Sequence, residues 1–344
     1  RSIALPENFE VKSFLPRWWR RDDVPRQLLW ERELASRARR DGCDVFLSLY
    51  QSATVFSSYK LKTKNYTLPK HIMVVHDIIP KLFPEYLGSL SRRWHWRGIE
   101  RGIRKADHII AVSQSTEEDI EKHLGVVPER ISIAHPGLSP IFATPASDEQ
   151  VSETLARYGL ERGYIYHGGG LEIRKNTQAV LEAYALLRGD PTVAHMPPIV
   201  ISGQIHPKAN PLATDVVGLI ESLSLGHAVY LLGRVPEADL PALYRGASLF
   251  IYPSLYEGFG LPPVEAFSQS TPVIASRASS LPEVCGDAAL LVDPGELDDI
   301  AAALRRLLND AELRAELGER GYQRSQDFSY ARFVETIIKR CLSL

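Results

Sequence analysis

Residues 249–265 have the sequence LFIYPSLYEGFGLPPVE, and this stretch indicates the fold of its half of the chain. Its opening run, Leu249–Tyr252, is typical of a buried strand, and a turn containing Gly258 and Gly260 follows. Pro262 and the proline after it suit the first turn of a helix, where backbone N–H groups have no partner inside the helix. A strand, a glycine turn and a helix N-terminus together predict an anion-binding site suited to a diphosphate.

Two carboxylates accompany this turn. Glu257 lies in the turn itself, and Glu265 lies about one turn into the predicted helix. We expect both to face one cleft and to accept hydrogen bonds from vicinal hydroxyls of a sugar or a ribose. The alternative is that each is a capping or surface carboxylate, with no ligand.

A second glycine-rich segment lies upstream, where residues 166–176 have the sequence YHGGGLEIRKN. Gly169 and Gly170 allow the backbone to approach a phosphate, and Arg174 and Lys175 supply positive charge. The segment is neither a G-x-G-x-x-G fingerprint nor a Walker A loop. The alternative is a tight turn with an exposed Arg-Lys pair.

Short β-rich runs alternate with helical patterns along the whole chain, which predicts parallel sheets covered by helices. We predict two Rossmann-like domains that face a central cleft, with ligands at the carboxyl ends of the strands. The predicted strands are Phe9–Phe14, Asp44–Leu49, His71–His76, His108–Ser113, Ile131–His135, Tyr164–His167, Ile199–Ser202, Val229–Leu232, Leu249–Tyr252, Pro272–Ala275 and Ala289–Val292.

The domain boundaries follow from a stretch rich in Pro, Ser, Thr and Ala. We assign residues 1–139 to the first domain, 140–152 to a linker and 153–328 to the second domain. In the first domain, Ser115 and Glu118 have the spacing of a capping box at the start of a helix.

Composition narrows the function classes. Of the 344 residues, 44% are apolar and 24% are charged, and no apolar run approaches the ~18 residues of a membrane span. Three widely spaced cysteines argue against a disulfide scaffold or a zinc knuckle and fit a reducing compartment. We therefore expect a globular, cytoplasmic protein.

Charge is distributed unevenly between the two halves. Residues 1–143 hold 23 Lys and Arg against 17 Asp and Glu, a net charge of +6, and all five Trp. The remaining residues hold 17 Lys and Arg against 25 Asp and Glu, a net charge of −8. The basic half suits an anionic partner such as the inner face of a membrane, which the segment 92–97 (RRWHWR) would contact. The alternative is that these Trp belong to the core and the charges are solvated.

Together these motifs resemble the retaining family-4 glycosyltransferases of GT-B fold. The resemblance rests on Glu257 and Glu265, on the Arg174–Asn176 turn, and on the segments 272–276 (PVIAS) and 280–284 (SLPEV). It implies that Glu257 binds hydroxyls of the donor sugar and Glu265 the ribose. Arg174 and Lys175 would contact the diphosphate, close to Gly169 and Gly170.

The same resemblance assigns further residues. His76, in a His-Asp pair at a strand end, would lie over the donor sugar. Backbone groups of Gly258, Phe259, Gly260 and Leu261 would hold the sugar and phosphate, and the turn ending at Val235 would contact the base. Residues 329–344 would form a helix that crosses back to the first domain. We expect the chain to start inside that domain, because the family's opening strand and glycine-rich loop are not recognisable before Phe9.

The resemblance predicts a hexosyltransferase, mannosyltransferase-like, that uses a GDP- or UDP-linked sugar as co-substrate. With no Asp-x-Asp in the chain, we expect protein cations in place of a metal ion, no cofactor and no nucleic-acid partner. The acceptor would be a saccharide or lipid-linked saccharide in cell-surface polysaccharide synthesis. Two alternatives are a sugar-nucleotide epimerase of the same fold and a non-catalytic nucleotide-sugar-binding protein.

Overall fold

The computed structural model describes residues 31, 33–38, 40–56, 68–206 and 210–343. Short strands alternate with helices through these ranges, as predicted. The strands are β1 (Val45–Ser48), β2 (Lys70–Val75), β3 (His108–Ala111), β4 (Ile131–Ile133), β5 (Ile165–His167), β6 (Ile199–Ser202), β7 (Val229–Gly233), β8 (Leu249–Tyr252), β9 (Val273–Ser276) and β10 (Ala289–Val292). Each agrees with its prediction to within a few residues, whereas the strand predicted at Phe9–Phe14 lies outside the described residues.

Helices connect the strands and cover the sheets. They are α1 (Ile79–Leu82), α2 (Leu90–Lys105), α3 (Gln114–Leu124), α4 (Asp148–Tyr158), α5 (Thr177–Leu187), α6 (Val216–Ser222), α7 (Leu240–Gly246), α8 (Leu261–Ser268), α9 (Leu281–Cys285), α10 (Leu297–Asn309), α11 (Ala311–Ser325) and α12 (Tyr330–Leu342). Short 3₁₀ turns occur at Pro84–Leu87, Pro128–Arg130, Pro140–Phe142, Ile173–Lys175 and Glu237–Asp239.

The first sheet has the order β1-β2-β3-β4, and every neighbouring pair is parallel. Strand β2 is buried from His71 to Val75, which explains its nearly continuous apolar sequence. The chain leaves β2 at His76 and Asp77, at the carboxyl edge of this sheet.

The second sheet has the order β10-β9-β8-β5-β6-β7, again with parallel pairs. From the adjacent strands β5 and β8, the chain continues outward in opposite directions along the sheet. Such a switch point opens a crevice at the carboxyl ends of the two strands. The glycine-rich segment after β5 and the turn after β8 both enter this crevice, so the topology brings the two predicted motifs together.

A shared apolar cluster joins the domains. Phe259, from the turn after β8, and Ile337, from α12, pack in one cluster with Ile72 of β2. In addition, the Arg340 guanidinium lies 2.9 Å from Nδ1 of His108 in β3. The last helix therefore crosses back to the first domain, as the resemblance implies.

The prediction that Ser115 and Glu118 form a capping box is wrong. Helix α3 begins at Gln114, and its N-cap is Ser113, whose side chain accepts a hydrogen bond from the Thr116 amide. Ser113 has the extended backbone that an N-cap requires, with φ −156° and ψ 164°. Both serines offer a hydroxyl, and the Ser-x-x-Glu spacing favours the one that is not the N-cap.

Residues 140–152, assigned to a linker from composition, fold against the second domain. Phe142 is buried in a cluster of that domain, and Ser147 and Gln150 form a capping box at the start of α4.

The two tryptophans of α2 differ: Trp96 is 6% exposed and belongs to the core of the first domain, whereas Trp94 is 71% exposed. Trp18, Trp19 and Trp30 lie outside the described residues.

The crossing of α12 predicts that Gly137 tolerates no side chain. A Cβ on Gly137 would lie 2.0 Å from the backbone nitrogen of Tyr330, and backbone cannot move aside as a flexible side chain can. Gly137→Ala should lower the free energy of unfolding by ~1–3 kcal/mol, as measured by urea denaturation. Gly226→Ala is the control, because a Cβ there meets no atom within 4 Å. Equal urea midpoints for the two variants would contradict the packing described here.

Candidate active site

The buried carboxylate of Glu257 is the centre of the crevice, and it is only 7% exposed. Its Oε1 accepts hydrogen bonds from Lys175 Nζ at 2.7 Å, Tyr252 OH at 2.8 Å and Ser254 Oγ at 2.6 Å. Its Oε2 lies 2.9 Å from a guanidinium nitrogen of Arg174. The two motifs predicted from sequence thus meet in one ion cluster.

Charge within this cluster opposes the effect of burial. Burial raises the pKa of Glu257, but Lys175 and Arg174 outweigh it, and the pKa of this carboxyl lies below its ordinary value. Burial lowers the pKa of Lys175, with the Glu257 carboxylate opposing that shift. Glu257 is therefore ionised at neutral pH and available as a hydrogen-bond acceptor.

The turn that carries the two cations has a defined local geometry. Gly169 and Gly170 have φ values of +88° and +108°, which side chains rarely adopt. Residues Ile173–Lys175 form a 3₁₀ turn that ends at Asn176 in the left-handed region. The side-chain amide of Asn176 donates to the carbonyls of Pro253 (3.1 Å) and Pro294 (2.8 Å). Asn176 therefore fastens the turn after β5 to the loop after β8.

Helix α8 begins at the same place. Gly260, with φ +99°, is its N-cap, and no side chain caps its first turn. Pro262 and Pro263 have no N–H to donate, but the Leu261 N–H at the first helical position has no partner within the helix and remains available to an anion. Glu265, on this helix, accepts a hydrogen bond from Tyr244 OH at 2.9 Å, and burial raises its pKa to about 7.

The first domain contributes His76 and Asp77. Nε2 of His76 is 2.9 Å from the Leu49 carbonyl, and the imidazole stacks on the Tyr50 ring with centroids 4.7 Å apart. Arg174 and Glu257 both influence the pKa of Asp77, which burial raises above its ordinary value. A Cβ on Gly258 would lie 1.9 Å from the His76 carbonyl oxygen, so the glycine turn packs directly on this strand end.

Two hydroxyls of the first domain hold the glycine turn. Ser113 Oγ and Thr116 Oγ1 donate to the Gly258 carbonyl at 2.6 and 3.0 Å. The Glu283 carboxylate accepts from the Gln114 amide at 2.9 Å, at the first turn of α3. We therefore regard Ser113 and Thr116 as positioning residues for the turn that carries Glu257.

The other predicted site residues occupy different surroundings. The Phe259 side chain packs between the domains, while Leu261 opens α8 and flanks the same interdomain cluster. Val235 follows β7 at the edge of the sheet, at the same carboxyl end as the crevice.

His167 is buried: Nδ1 is 2.9 Å from the Ile251 carbonyl and Nε2 is 2.9 Å from the Thr177 hydroxyl. Those partners give His167 a structural role.

Sequence reasoning missed several groups of the site. Tyr252 and Ser254 flank the end of β8, and their hydroxyls belong to the Glu257 cluster. Glu172, between the glycines and the cations, accepts from Arg174 Nε at 2.8 Å and from the hydroxyl of Tyr86, in the first domain, at 3.1 Å. Tyr252 and Ser254 could have been predicted from sequence, because their hydroxyls lie next to the glycine turn. The contact between Tyr86 and Glu172 arises only from tertiary packing.

An ionised carboxylate, two cations and an uncapped helix N-terminus share one crevice between two parallel-sheet domains. Hydroxyl recognition and anion stabilisation together are what a transferase acting on a phosphorylated sugar requires. The fold and the site therefore define a two-domain enzyme of the GT-B type.

Comparison with known proteins agrees with this class. Residues 158–324 match the family model described as glycosyl transferases group 1, and residues 4–142 match that of glycosyltransferase family 4. The chain belongs to this family of glycosyltransferases.

Named relatives include mannosyltransferases. The chain is 32% identical over 281 residues to the O-antigen chain mannosyltransferase B of Escherichia coli, covering 80% of this chain and 72% of that protein. It is 30% identical over 273 residues to the serotype-specific mannosyltransferase WbdA of Escherichia coli, covering 78% of this chain but 33% of that protein. The match thus spans about a third of the longer relative.

Among solved structures, sucrose-phosphate synthase from Thermosynechococcus elongatus superposes with a TM-score of 0.74 at 19% identity. The match covers 96% of this chain and 81% of that one, and it supports the fold.

None of the helices in the described part of the chain has the length and hydropathy to span a bilayer. Across the described ranges, no group of three or more His, Cys, Asp or Glu side chains is arranged to hold a metal ion.

Glu257 should be essential to the stability of the free protein. Glu257→Gln leaves the buried Lys175 ammonium without its paired carboxylate and removes one of the two carboxylates paired with Arg174, and we expect it to lower the free energy of unfolding by ~3–5 kcal/mol. Glu172→Gln is the matched control, because that carboxylate also pairs with Arg174 but is partly exposed, and its loss should cost ~0–1 kcal/mol. Urea denaturation of both variants checks this, and equal losses would contradict the account.

The raised pKa of Glu265 predicts a pH dependence of stability. The folded chain protonates this carboxyl at about pH 7, whereas an unfolded glutamate does so near 4.5. Because the folded state binds the extra proton between these values, the carboxyl's contribution to stability falls as pH rises from 4.5 to 7. The free energy of unfolding of Glu265→Gln should equal that of the wild type near pH 4.5. Relative to the wild type, it should then rise by up to ~1.4 kcal/mol per pH unit up to pH 7.

Urea denaturation between pH 5 and 8 measures that difference. Glu149→Gln, an exposed glutamate of α4, is the control and should not gain stability over the wild type as pH rises. A constant difference between Glu265→Gln and the wild type would refute the raised pKa.

Proposed function

We propose that the chain transfers a hexosyl group, preferably mannosyl, from a GDP- or UDP-linked sugar to a saccharide or lipid-linked saccharide. One observation carries the proposal: the ionised Glu257 lies between Lys175 and Arg174, beside the uncapped N-terminus of α8. The names of the two Escherichia coli relatives favour mannose.

The leaving group determines the role of the cations. Transfer breaks the bond between the anomeric carbon and the β-phosphate oxygen and forms a bond to an acceptor oxygen. Negative charge then develops on the diphosphate, where Arg174, Lys175 and the α8 N-terminus would stabilise it. These protein cations supply the charge that a metal ion would otherwise provide, so we propose a reaction without bound metal.

The carboxylates would bind the donor's hydroxyls. Oε1 of Glu257 already accepts three hydrogen bonds, whereas Oε2 has its ion pair with Arg174 and retains room for a sugar hydroxyl. Glu265 would accept hydrogen bonds from the ribose.

His76 would contact the sugar from the first domain. In the tautomer whose Nε2 donates to the Leu49 carbonyl, Nδ1 is the acceptor nitrogen. We propose retention of the anomeric configuration, with the acceptor's proton passing to the departing phosphate, so that no protein general base is assigned.

We further propose a role in cell-surface polysaccharide synthesis at the cytoplasmic face of a membrane. The O-antigen relative supports this by name. Helix α2 supports it physically, because Arg93, Trp94 and Arg97 are all exposed, and aromatic and basic side chains suit a lipid surface.

Thermal shift with UDP, GDP, ADP and their hexose conjugates tests the donor site, first without metal and then with magnesium. A ligand that binds only the native state raises the melting temperature. We expect a selective shift with one nucleotide and its conjugate without magnesium. No shift with any nucleotide would contradict the donor site.

A variant of Arg174 tests the proposed contact between the cations and the diphosphate. Arg174→Gln should weaken binding of the selected nucleoside diphosphate by about 10- to 100-fold, the loss of one charge-assisted contact. Arg157→Gln, an arginine in the same domain that pairs with Asp239, is the control and should bind normally.

Turnover distinguishes the alternatives. Release of nucleoside diphosphate together with a glycosylated acceptor supports transfer. An altered free sugar nucleotide made without acceptor would favour an epimerase, and binding without turnover would favour a non-catalytic protein.

A further inference from the structure

Each of the two site carboxylates is held by the hydroxyl of a buried tyrosine. Tyr252 donates to Glu257, and Tyr244 donates to Oε2 of Glu265 at 2.9 Å. The two bonds differ in importance, because Glu257 has further donors. Within the described ranges, the Tyr244 hydroxyl is the only hydrogen-bond donor to the Glu265 carboxylate. The orientation of Glu265 therefore depends on Tyr244.

The ring of Tyr244 is held on several sides. The residue is 1% exposed, and its ring packs edge to face on Tyr166 and Phe250, with centroid distances of 5.1 and 5.0 Å. Aromatic pairs favour this geometry. The backbone of Tyr244 is also fixed, because its carbonyl accepts a hydrogen bond from the Thr271 hydroxyl at 2.8 Å. The phenol therefore has a fixed position in the second domain.

The Tyr244 hydroxyl is the donor in its bond to Glu265. Burial, together with the Glu265 carboxylate, raises the pKa of Tyr244 well above its ordinary value, so the phenol keeps its proton. An ionised carboxylate only accepts hydrogen bonds. A fixed donor that binds one carboxylate oxygen restricts the rotation of the whole group, and this restriction sets the direction in which the second oxygen points.

That second oxygen is free to accept from a ligand. No group in the described part of the chain donates to Oε1 of Glu265, and this residue is half-buried, in contrast to Tyr244. Glu265 lies on α8, one turn beyond the Leu261 N–H that is available to an anion. A nucleoside diphosphate carries groups for both: hydroxyls for the carboxylate oxygen and a phosphate for the N–H.

We propose that Tyr244 is a positioning residue for nucleotide recognition, whose hydroxyl orients Glu265 so that Oε1 accepts from the ribose hydroxyls. This inference rests on the proposed function, which gives the ribose contact to Glu265. Tyr244 touches no ligand itself. It lowers the entropic cost of binding, because a carboxylate already held in one orientation loses little further rotamer freedom. Its effect is therefore confined to ligands that carry ribose hydroxyls.

The test uses the full chain and isothermal titration calorimetry. The ligands are whichever nucleoside diphosphate the wild type binds and its 2′,3′-dideoxy analogue, which lacks both hydroxyls. The titrations are run at pH 8.5, above the pKa of Glu265, so that this carboxylate is ionised. Tyr244→Phe keeps the ring and removes only the hydroxyl. Tyr184→Phe is the matched control, because it removes the hydroxyl of an equally buried tyrosine that donates to the Pro197 carbonyl at 3.0 Å.

We expect Tyr244→Phe to raise the Kd of the ribonucleotide about two- to tenfold, the effect of one side chain that must be immobilised on binding. The Kd of the dideoxy analogue should stay unchanged, so the preference for ribose falls. Tyr184→Phe should leave both Kd values unchanged. In a Glu265→Ala background, Tyr244→Phe should have no further effect, because the carboxylate that it orients is gone.

Three outcomes would overturn the inference while the wild type still binds nucleotide, which leaves the proposed donor site standing. The first is a wild-type Kd of Tyr244→Phe for the ribonucleotide. The second is equal weakening of both ligands, which a merely structural role would produce. The third is an undiminished effect of Tyr244→Phe in the Glu265→Ala background. Absence of nucleotide binding by the wild type is instead the failure of the proposed function, and the inference fails with it.

Discussion

The site depends on the ion cluster around the Glu257 carboxylate. One carboxylate pairs with two cations at the switch point of the second sheet, and it accepts two hydroxyls as well. Without it, the buried Lys175 ammonium would have no paired carboxylate and Arg174 would keep only Glu172, so two neighbouring positive charges would share a poorly solvated crevice. The cluster therefore preorganises positive charge where we propose that the diphosphate binds.

The second constraint is the contact between the domains. The turn that carries Glu257 is held from the opposite domain, because Ser113 and Thr116 bond the Gly258 carbonyl and His76 packs against Gly258. The two domains are thus joined at the residue next to the central carboxylate. Movement of one domain would displace that carboxylate, which gives a physical route for coupling domain closure to the donor binding we propose.

Much of this architecture could be predicted from sequence, because buried parallel strands leave long apolar runs. Ile199–Ser202, Leu249–Tyr252 and Ala289–Val292 were predicted to the residue. The meeting of Arg174, Lys175 and Glu257 also followed, since glycine turns after adjacent parallel strands converge. The cap of α3 was misplaced, because Ser113 and Ser115 carry the same hydroxyl and only backbone conformation separates them.

Other features depend on tertiary packing and leave no local pattern. The stacking of Tyr50 on His76 joins two segments distant in sequence. The burial of Trp96, by contrast, has a local signal, because Ile99 and Ile103 follow it at i+3 and i+7 on α2. The roles of the site residues rest on their arrangement, and a structure with bound nucleotide tests that arrangement most directly. In a crystal structure with nucleoside diphosphate, the β-phosphate should lie within hydrogen-bond distance of Arg174 or Lys175 and the first turn of α8. A diphosphate bound outside this crevice, with the Glu257 cluster unchanged, would contradict the account.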